Sequence, residues 1–145
     1  MLHKKLVEKI EFEISEIEKE LESYKVLIDL CKKKEPDLIE KTAVAGVLHS
    51  FYTGIENILV AIAKYFDNSI PMDKNWHNKL LSQLSEKIEK REVVLTKDNM
   101  SLLLEYLGFR HFYRHSYSFY LDWDLLSKLI LPIENTWNAV KKRFY

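Results

Sequence analysis

The first 31 residues carry apolar side chains at steps of three or four, and this spacing limits the fold more than any other feature of the chain. Residues at such steps share one face of an α-helix, whereas a strand needs a step of two. We predict one long amphipathic helix that ends before Pro36, because proline cannot continue the helical hydrogen bonds. The stripe also fits a coiled-coil seam, but we favour the core face of a small bundle, since the other predicted helices need a partner. The apolar stripe consists of Leu6, Ile10, Ile14, Ile17, Leu21, Tyr24, Ile28 and Cys31.

A second helix is predicted at about 38–65, where apolar residues again recur at helical spacing. Its apolar face is broad, so we expect this helix to be central. Four small residues along it, Ala43, Ala45, Gly46 and Gly54, would let another helix approach closely.

Three further helices are predicted at about 76–90, from 97 onward, and at 123–144. Asn75, Thr96 and Asp122 immediately precede them and are the predicted N-caps. Pro132 should kink or break the last helix, since its ring disrupts the hydrogen-bond ladder.

The composition agrees with a helical protein. With 3 glycines, 3 prolines and 47% hydrophobic residues, the chain has too few breakers for an all-β fold and too much apolar material for disorder. We predict a single domain, 1–145, with an all-α fold: an antiparallel bundle of about five helices. The one cysteine, Cys31, cannot form an internal disulfide, and neither an N-terminal leader nor an apolar run of membrane length is recognisable. We therefore expect a cytoplasmic protein.

The charge balance gives no general attraction to nucleic acid. Basic and acidic residues number 22 each, so any contact with RNA must be local. Two basic clusters, 32–34 and 141–143, end the first and last predicted helices, where cations interact favourably with the helix dipole. We favour this structural interpretation, although the clusters could extend a track for RNA.

The segment that follows Gly108 contains the pattern R-x-x-x-x-H-x-Y, formed by Arg110, His115 and Tyr117. A histidine can take the proton of a ribose 2′-hydroxyl, and an arginine can stabilise the charge that develops on a phosphate. These residue types could therefore cut RNA without a metal ion. Taken alone, His115 is better explained as a packed, hydrogen-bonded histidine beside a tyrosine.

Helical geometry adds a condition to this motif. At about 100° per residue, Arg110 and His115 lie roughly 140° apart around an ideal helix, while Arg110 and Tyr117 lie within about 20°. Either the helix loosens near His115, or a second copy of the chain supplies the missing residue across a dimer interface. We favour the dimer.

His111 and His115 are one helical turn apart and should share a face, which raises the alternative of a metal site. No acidic or thiol ligand lies nearby in the sequence to complete a tetrahedral set. We therefore predict no metal. We also assign no chemistry to His49 or His77, which are as well explained by surface or packing roles.

The segment 108–117, G-F-R-H-F-Y-R-H-S-Y, continuing through F-Y-L-D-W at 119–123, resembles the HepT-like ribonuclease toxins of the HEPN superfamily. The resemblance extends to F-Y-T-G-I-E at 51–56 and W-H-N-K-L-L at 76–81, so it covers most of the chain beyond the first helix. It implies a helical bundle that dimerises so that both copies of the motif line one cleft. It also implies a metal-independent endoribonuclease that needs no cofactor and leaves a 2′,3′-cyclic phosphate and a 5′-hydroxyl.

Under this resemblance, His115 is the general base or acid and Arg110 holds the phosphate and the transition state. The implied partner is a minimal nucleotidyltransferase antitoxin, which silences the toxin of this type VII-like pair by transferring AMP to Tyr117. The added phosphodiester would lie near Arg110 and Arg114 and occupy the space meant for RNA.

Three supporting residues are predicted for this site: His111, Arg114 and Glu56. Many relatives have asparagine or aspartate where this chain has His111, so the position is polar in both. His111 could orient the catalytic histidine or contact RNA. Glu56 could approach the cleft, although an exposed surface position fits it equally well. The alternative from another class is a non-catalytic helical module that binds a nucleotide or a nucleotidyltransferase, which the neutral net charge allows.

Overall fold

The computed structural model describes residues 2–115, 117 and 121–144, and within them the protein is helical. The described residues contain no extended strand, only an isolated bridge between Ile88 and Arg91. A π-helical turn, Ala63–Asp67, extends the third helix, and a 3₁₀ turn, Lys142–Phe144, follows the last. The predicted all-α class is confirmed, with seven α-helices in the described part instead of about five. They are α1 (Leu2–Ser23), α2 (Lys25–Lys33), α3 (Leu38–Ile62), α4 (Trp76–Leu84), α5 (Lys97–Arg114), α6 (Trp123–Ile130) and α7 (Ile133–Lys141).

Helix α3 is the centre of the bundle and packs against α1, α4, α5 and α6. A capping box starts it, in which the Asp37 side chain accepts from Glu40 N at 2.8 Å and the Glu40 side chain accepts from Asp37 N at 2.9 Å. The closest approach involves Gly54, where an added Cβ would lie 2.6 Å from Cγ1 of Ile17 on α1. The predicted central helix and the close approach at Gly54 are therefore confirmed. The same cannot be said of Gly46, since a Cβ there would meet nothing within 4 Å.

The predicted first helix is in fact two helices, because the chain kinks at Tyr24. Backbone hydrogen bonds continue through the kink, from Tyr24 N to Glu20 O and from Ile28 N to Tyr24 O. The Tyr24 dihedrals, φ −107° and ψ 17°, nevertheless depart from helical values. The kink turns α2 so that it packs against both α3 and α6. As a result Tyr24 is exposed, while Ile28 and Cys31 remain in the core.

Helix α4 ends at Leu84, six residues before its predicted end, because Arg91 folds back onto its last turn. The Arg91 guanidinium donates to the carbonyls of Gln83, Glu86 and Glu92, and it pairs through two 2.7 Å bonds with the carboxylate of Asp67. These bonds satisfy carbonyls that a longer helix would have used itself. The buried arginine therefore replaces the last predicted turns with a compact loop.

The predicted N-caps fare differently. The side chains of Thr96 and Asp122 accept backbone hydrogen bonds at the starts of α5 and α6, as predicted. Asn75 occupies the cap position of α4, but its side chain makes no capping bond. Instead the Asp73 side chain accepts from Asn75 N at 3.1 Å. Pro132 separates α6 from α7, which confirms the predicted break.

One described helix is long and apolar enough to cross a membrane by length and composition, namely α3 with its π-helical turn, Leu38–Asp67. The prediction that the chain has no apolar run of membrane length is therefore wrong. Within the bundle, 61% of its most apolar window is buried against the other helices. That arrangement is consistent with the core helix of a soluble protein.

Candidate active site

The catalytic motif predicted from the sequence lies at the end of α5, where the helix stops at Arg114. His115 occupies the C-cap, with φ −118° and ψ 12°. Its N–H donates to the carbonyl of Phe112, three residues earlier, whereas an α-helical bond would reach the carbonyl of His111. The α-helix therefore ends at His115 in a 3₁₀-type turn, which is tighter than an α-helical one. An ideal-helix angle between Arg110 and His115 no longer applies at that residue.

Glu56 on α3 is the buried centre of the candidate site. Its Oε1 accepts a hydrogen bond from Nη1 of Arg110 at 2.9 Å, and its Oε2 lies 2.6 Å from Nδ1 of His77. Only 5% of Glu56 is exposed. A buried carboxylate requires partners of this kind, since removal from water is costly for an unpaired charge. Glu56 therefore contacts Arg110 of the motif, and the alternative of an exposed surface position is wrong.

His77, in the first turn of α4, is the site residue that the sequence did not assign. Its ring packs against Trp76, with centroids 3.8 Å apart, and 23% of its side chain is exposed. The available sequence signal was its place in the W-H-N-K-L-L segment. That signal does not reveal the partner, because Glu56 is 21 residues away on another helix.

His49 lies on the same face of α3 as Glu56, two turns earlier in the helix. It is close enough to Arg110 and Arg114 for their charges to affect its ring. Burial lowers the pKa of its ring, and the positive charges of Arg110 and Arg114 lower it further. Its ring also lies against Tyr113, with centroids 5.6 Å apart. The two arginines of the motif therefore help to lower the pKa of His49, a residue to which the sequence assigned no role.

Two buried polar atoms near Glu56 have no hydrogen-bond partner among the described residues. They are Nε of Arg110 and the hydroxyl of Tyr52. Burial raises the pKa of Tyr52, and the Glu56 carboxylate raises it further, while Arg110 has the opposite effect. Tyr52 therefore keeps its proton beside the Glu56–Arg110 pair.

The remaining motif residues form a second, exposed group. The rings of His111 and His115 lie 4.8 Å apart, so they share a face as predicted. Arg114 is also exposed, and Tyr117 has 72% of its surface accessible. Among the residues that the structure describes, no hydrogen bond joins His115 to Arg110, whose partner is Glu56. Ser116 and residues 118–120 of the matched segment lie outside the described part.

The described residues contain no group of three or more histidine, cysteine, aspartate or glutamate side chains placed to hold a metal ion. Some members of each basic cluster have structural partners. Lys32 pairs with Glu134 at 3.2 Å and Lys141 with Glu18 at 2.5 Å. Arg143 donates to the carbonyls of residues 93 and 94.

A protein-family model described as "HepT-like protein" matches residues 43–145. The match begins within α3, continues through α7 and includes all the candidate site residues. No curated protein and no solved structure matches the chain.

Proposed function

The chain belongs to the HepT-like family of the HEPN superfamily, and from this premise we propose its function. We propose that it is a metal-independent endoribonuclease and the toxin of a type VII-like toxin–antitoxin pair. Membership in the family suggests a HEPN toxin and a ribonuclease. The observation that best supports our assignment of residues is the end of α5. There a buried glutamate holds Arg110, while His115 is exposed at the helix terminus.

In the proposed reaction, the 2′-oxygen of a ribose attacks the adjacent phosphorus and the bond from phosphorus to the 5′-oxygen breaks. His115 takes the 2′-hydroxyl proton as a base, or gives a proton to the leaving 5′-oxygen as an acid. Arg110 stabilises the negative charge on the non-bridging oxygens of the transition state. The products are a 2′,3′-cyclic phosphate and a 5′-hydroxyl, and neither step requires a metal or a cofactor.

The reaction needs one group that removes a proton and one that supplies it, which supports a homodimer. Two copies of the chain would bring two His115 side chains to one cleft, so that one acts as base and the other as acid. The exposed positions of Arg114 and His111 suit contacts with the phosphates of RNA at the rim of such a cleft.

Regulation by AMP transfer is supported by the exposure of Tyr117. With 72% of its surface accessible, the side chain can enter the active site of a minimal nucleotidyltransferase antitoxin. The phosphodiester formed on its hydroxyl would carry a negative charge toward Arg110 and Arg114 and would repel an RNA phosphate. We place both proteins of the pair in the cytoplasm, where RNA and ATP are present.

The test is cleavage of total RNA by purified protein that carries no AMP. Wild type should cut in the presence of EDTA and leave cyclic phosphate ends, whereas His115→Ala should not cut. Asn138, which is exposed on α7, supplies a matched control, and Asn138→Ala should cut as wild type does. Equal cleavage by wild type and His115→Ala would exclude the assigned mechanism. Intact RNA with every protein, together with tight binding to the nucleotidyltransferase, would instead favour the non-catalytic module.

A further inference from the structure

We propose that His77 is a positioning residue of this active site, which keeps the Glu56 carboxylate in the orientation that holds Arg110. The inference rests on the proposed ribonuclease activity, in which Arg110 stabilises the transition state. It concerns a residue on α4, a helix that contributes none of the motif residues.

The hydrogen bonds around Glu56 divide evenly between its two oxygens. Oε1 accepts from Arg110 at 2.9 Å, and Oε2 faces Nδ1 of His77 at 2.6 Å. An ionised carboxylate only accepts hydrogen bonds, so Nδ1 must carry the proton. Each oxygen thus has one donor, and the two donors come from two different helices, α4 and α5.

The Arg110 side chain depends on this carboxylate for its position. Among the described residues, Glu56 is the hydrogen-bond acceptor of the guanidinium, and Nε has no acceptor at all. The carboxylate in turn is at the end of a side chain with three rotatable bonds. Removal of the His77 donor would leave Oε2 buried and unsatisfied, which is unfavourable and promotes rotation of the carboxylate. Arg110 would then lose its fixed orientation.

His77 can hold its own position because α4 supports it. The ring is packed on Trp76 with centroids 3.8 Å apart, and three neighbouring leucines, Leu80, Leu81 and Leu84, are buried in the core. A rigid outer group of this kind typically changes activity by about 10- to 100-fold when it is removed from a metal site. We expect a similar effect here, transmitted through Glu56.

Two substitutions of similar polarity separate a positioning role from a general structural one. In His77→Asn the amide nitrogen is as many bonds from Cα as Nδ1 of histidine, so it can donate to Oε2. In His77→Gln the amide is one bond further away, and in His77→Ala there is no donor. We expect Asn to keep activity within about threefold of wild type, and Ala and Gln to lose about 10- to 100-fold.

The experiment measures kcat and KM on a short fluorescent RNA, well below the unfolding temperature of each variant. The loss in His77→Ala and His77→Gln should appear in kcat, because Arg110 acts on the transition state. In a Glu56→Gln background, His77→Ala should cause no further loss of kcat, because His77 acts through the Glu56 carboxylate and that carboxylate is already absent. If His77→Ala does not fold, the comparison of Asn with Gln decides.

Three results would overturn the inference. They are full activity of the Gln and Ala variants, equal losses for Asn and Gln, and additive losses when His77→Ala and Glu56→Gln are combined. Each leaves the proposed function intact if wild type cuts RNA. Absence of cleavage by unmodified wild type would overturn the proposed function and this inference with it.

Discussion

Glu56 and Arg110 are 54 residues apart in the sequence, yet Nη1 of the arginine donates to Oε1 of the glutamate at 2.9 Å. Only 7% of the glutamate side chain and 14% of the arginine side chain are exposed. A pair buried to this degree costs far more to break than an exposed one. Arg110 therefore stabilises the fold in addition to any role in catalysis, and the two contributions must be separated by experiment.

The first prediction follows from this pair. Arg110→Ala leaves Glu56 buried with His77 as its partner, so we expect the free energy of unfolding to fall by about 3 kcal/mol. His115→Ala changes an exposed residue and should shift it by no more than about 0.5 kcal/mol. Urea unfolding followed by circular dichroism measures both. The loss in Arg110→Ala should shrink when Glu56→Gln is added, because the uncompensated charge is removed. Equal stability of Arg110→Ala and wild type would contradict the prediction.

The elements with local signals were predictable from the sequence. Thr96 and Asp122 cap their helices, Pro132 divides the last one, and the apolar positions of α3 are buried, because each depends on residues within one or two turns. The kink at Tyr24 was not predictable, since the stripe keeps its steps of three and four across it. It depends on the packing of α2 against α3 and α6.

The candidate site also contains residues that the sequence could identify and residues that it could not. Arg110, His115 and Tyr117 could be selected because they form a short motif with chemistry in its residue types. His77 could not, since its partner Glu56 is 21 residues away and the path between them includes a loop. The early end of α4 was hidden for a similar reason. Arg91 folds back onto that helix and pairs there with Asp67, which is 24 residues away in the sequence.

A second prediction compares two glycines of the same helix. A Cβ at Gly54 would lie 2.6 Å from Cγ1 of Ile17, which is near the backbone of its residue and cannot simply move aside. We expect Gly54→Ala to destabilise the protein by about 1–3 kcal/mol through overpacking. Gly46→Ala is the matched control. Its Cβ would meet nothing within 4 Å, and alanine favours a helix interior by about 1 kcal/mol, so this variant should be more stable than wild type. Thermal unfolding of both would test the prediction, and stabilisation by Gly54→Ala would contradict it.

A third prediction concerns pH and the buried pair of Asp67 and Arg91. Burial alone raises the pKa of the Asp67 carboxyl, but hydrogen bonds from Arg91 and Gln83 and the charge of Arg91 lower it below its ordinary value of 3.8. A lowered pKa contributes stability above the unfolded-state value and loses it as the pH falls through the folded-state value. Asp67→Asn should therefore be less stable than wild type at pH 7, by about 3 kcal/mol.

The difference between wild type and Asp67→Asn should begin to shrink as the pH falls below about 4, because the Asp67 carboxyl of the unfolded wild type then binds a proton while that of the folded protein is still ionised. Urea unfolding at pH 7, 5, 4 and 3 measures it. Asp29→Asn is a suitable control, since 46% of the Asp29 side chain is exposed and its ion pairs should contribute at most about 1 kcal/mol. A difference that stays constant from pH 7 to pH 3 would show that the Asp67 charge does not stabilise the fold.

The last prediction tests control by the antitoxin. Co-expression with a minimal nucleotidyltransferase should increase the intact mass of the chain by one or more AMP units, and peptide mapping should place them on Tyr117. Tyr117→Phe should keep its unmodified mass and remain toxic, because phenylalanine has no hydroxyl to accept the nucleotide. Tyr113 is a useful comparison: it is half-buried against His49 and Phe109, so a nucleotidyltransferase reaches it less easily. Tyr120 lies outside the described residues and is tested by substitution alone. Modification of Tyr113→Phe and Tyr120→Phe should equal that of wild type, and AMP found on either tyrosine in place of Tyr117 would refute the assignment even if the pairing is correct.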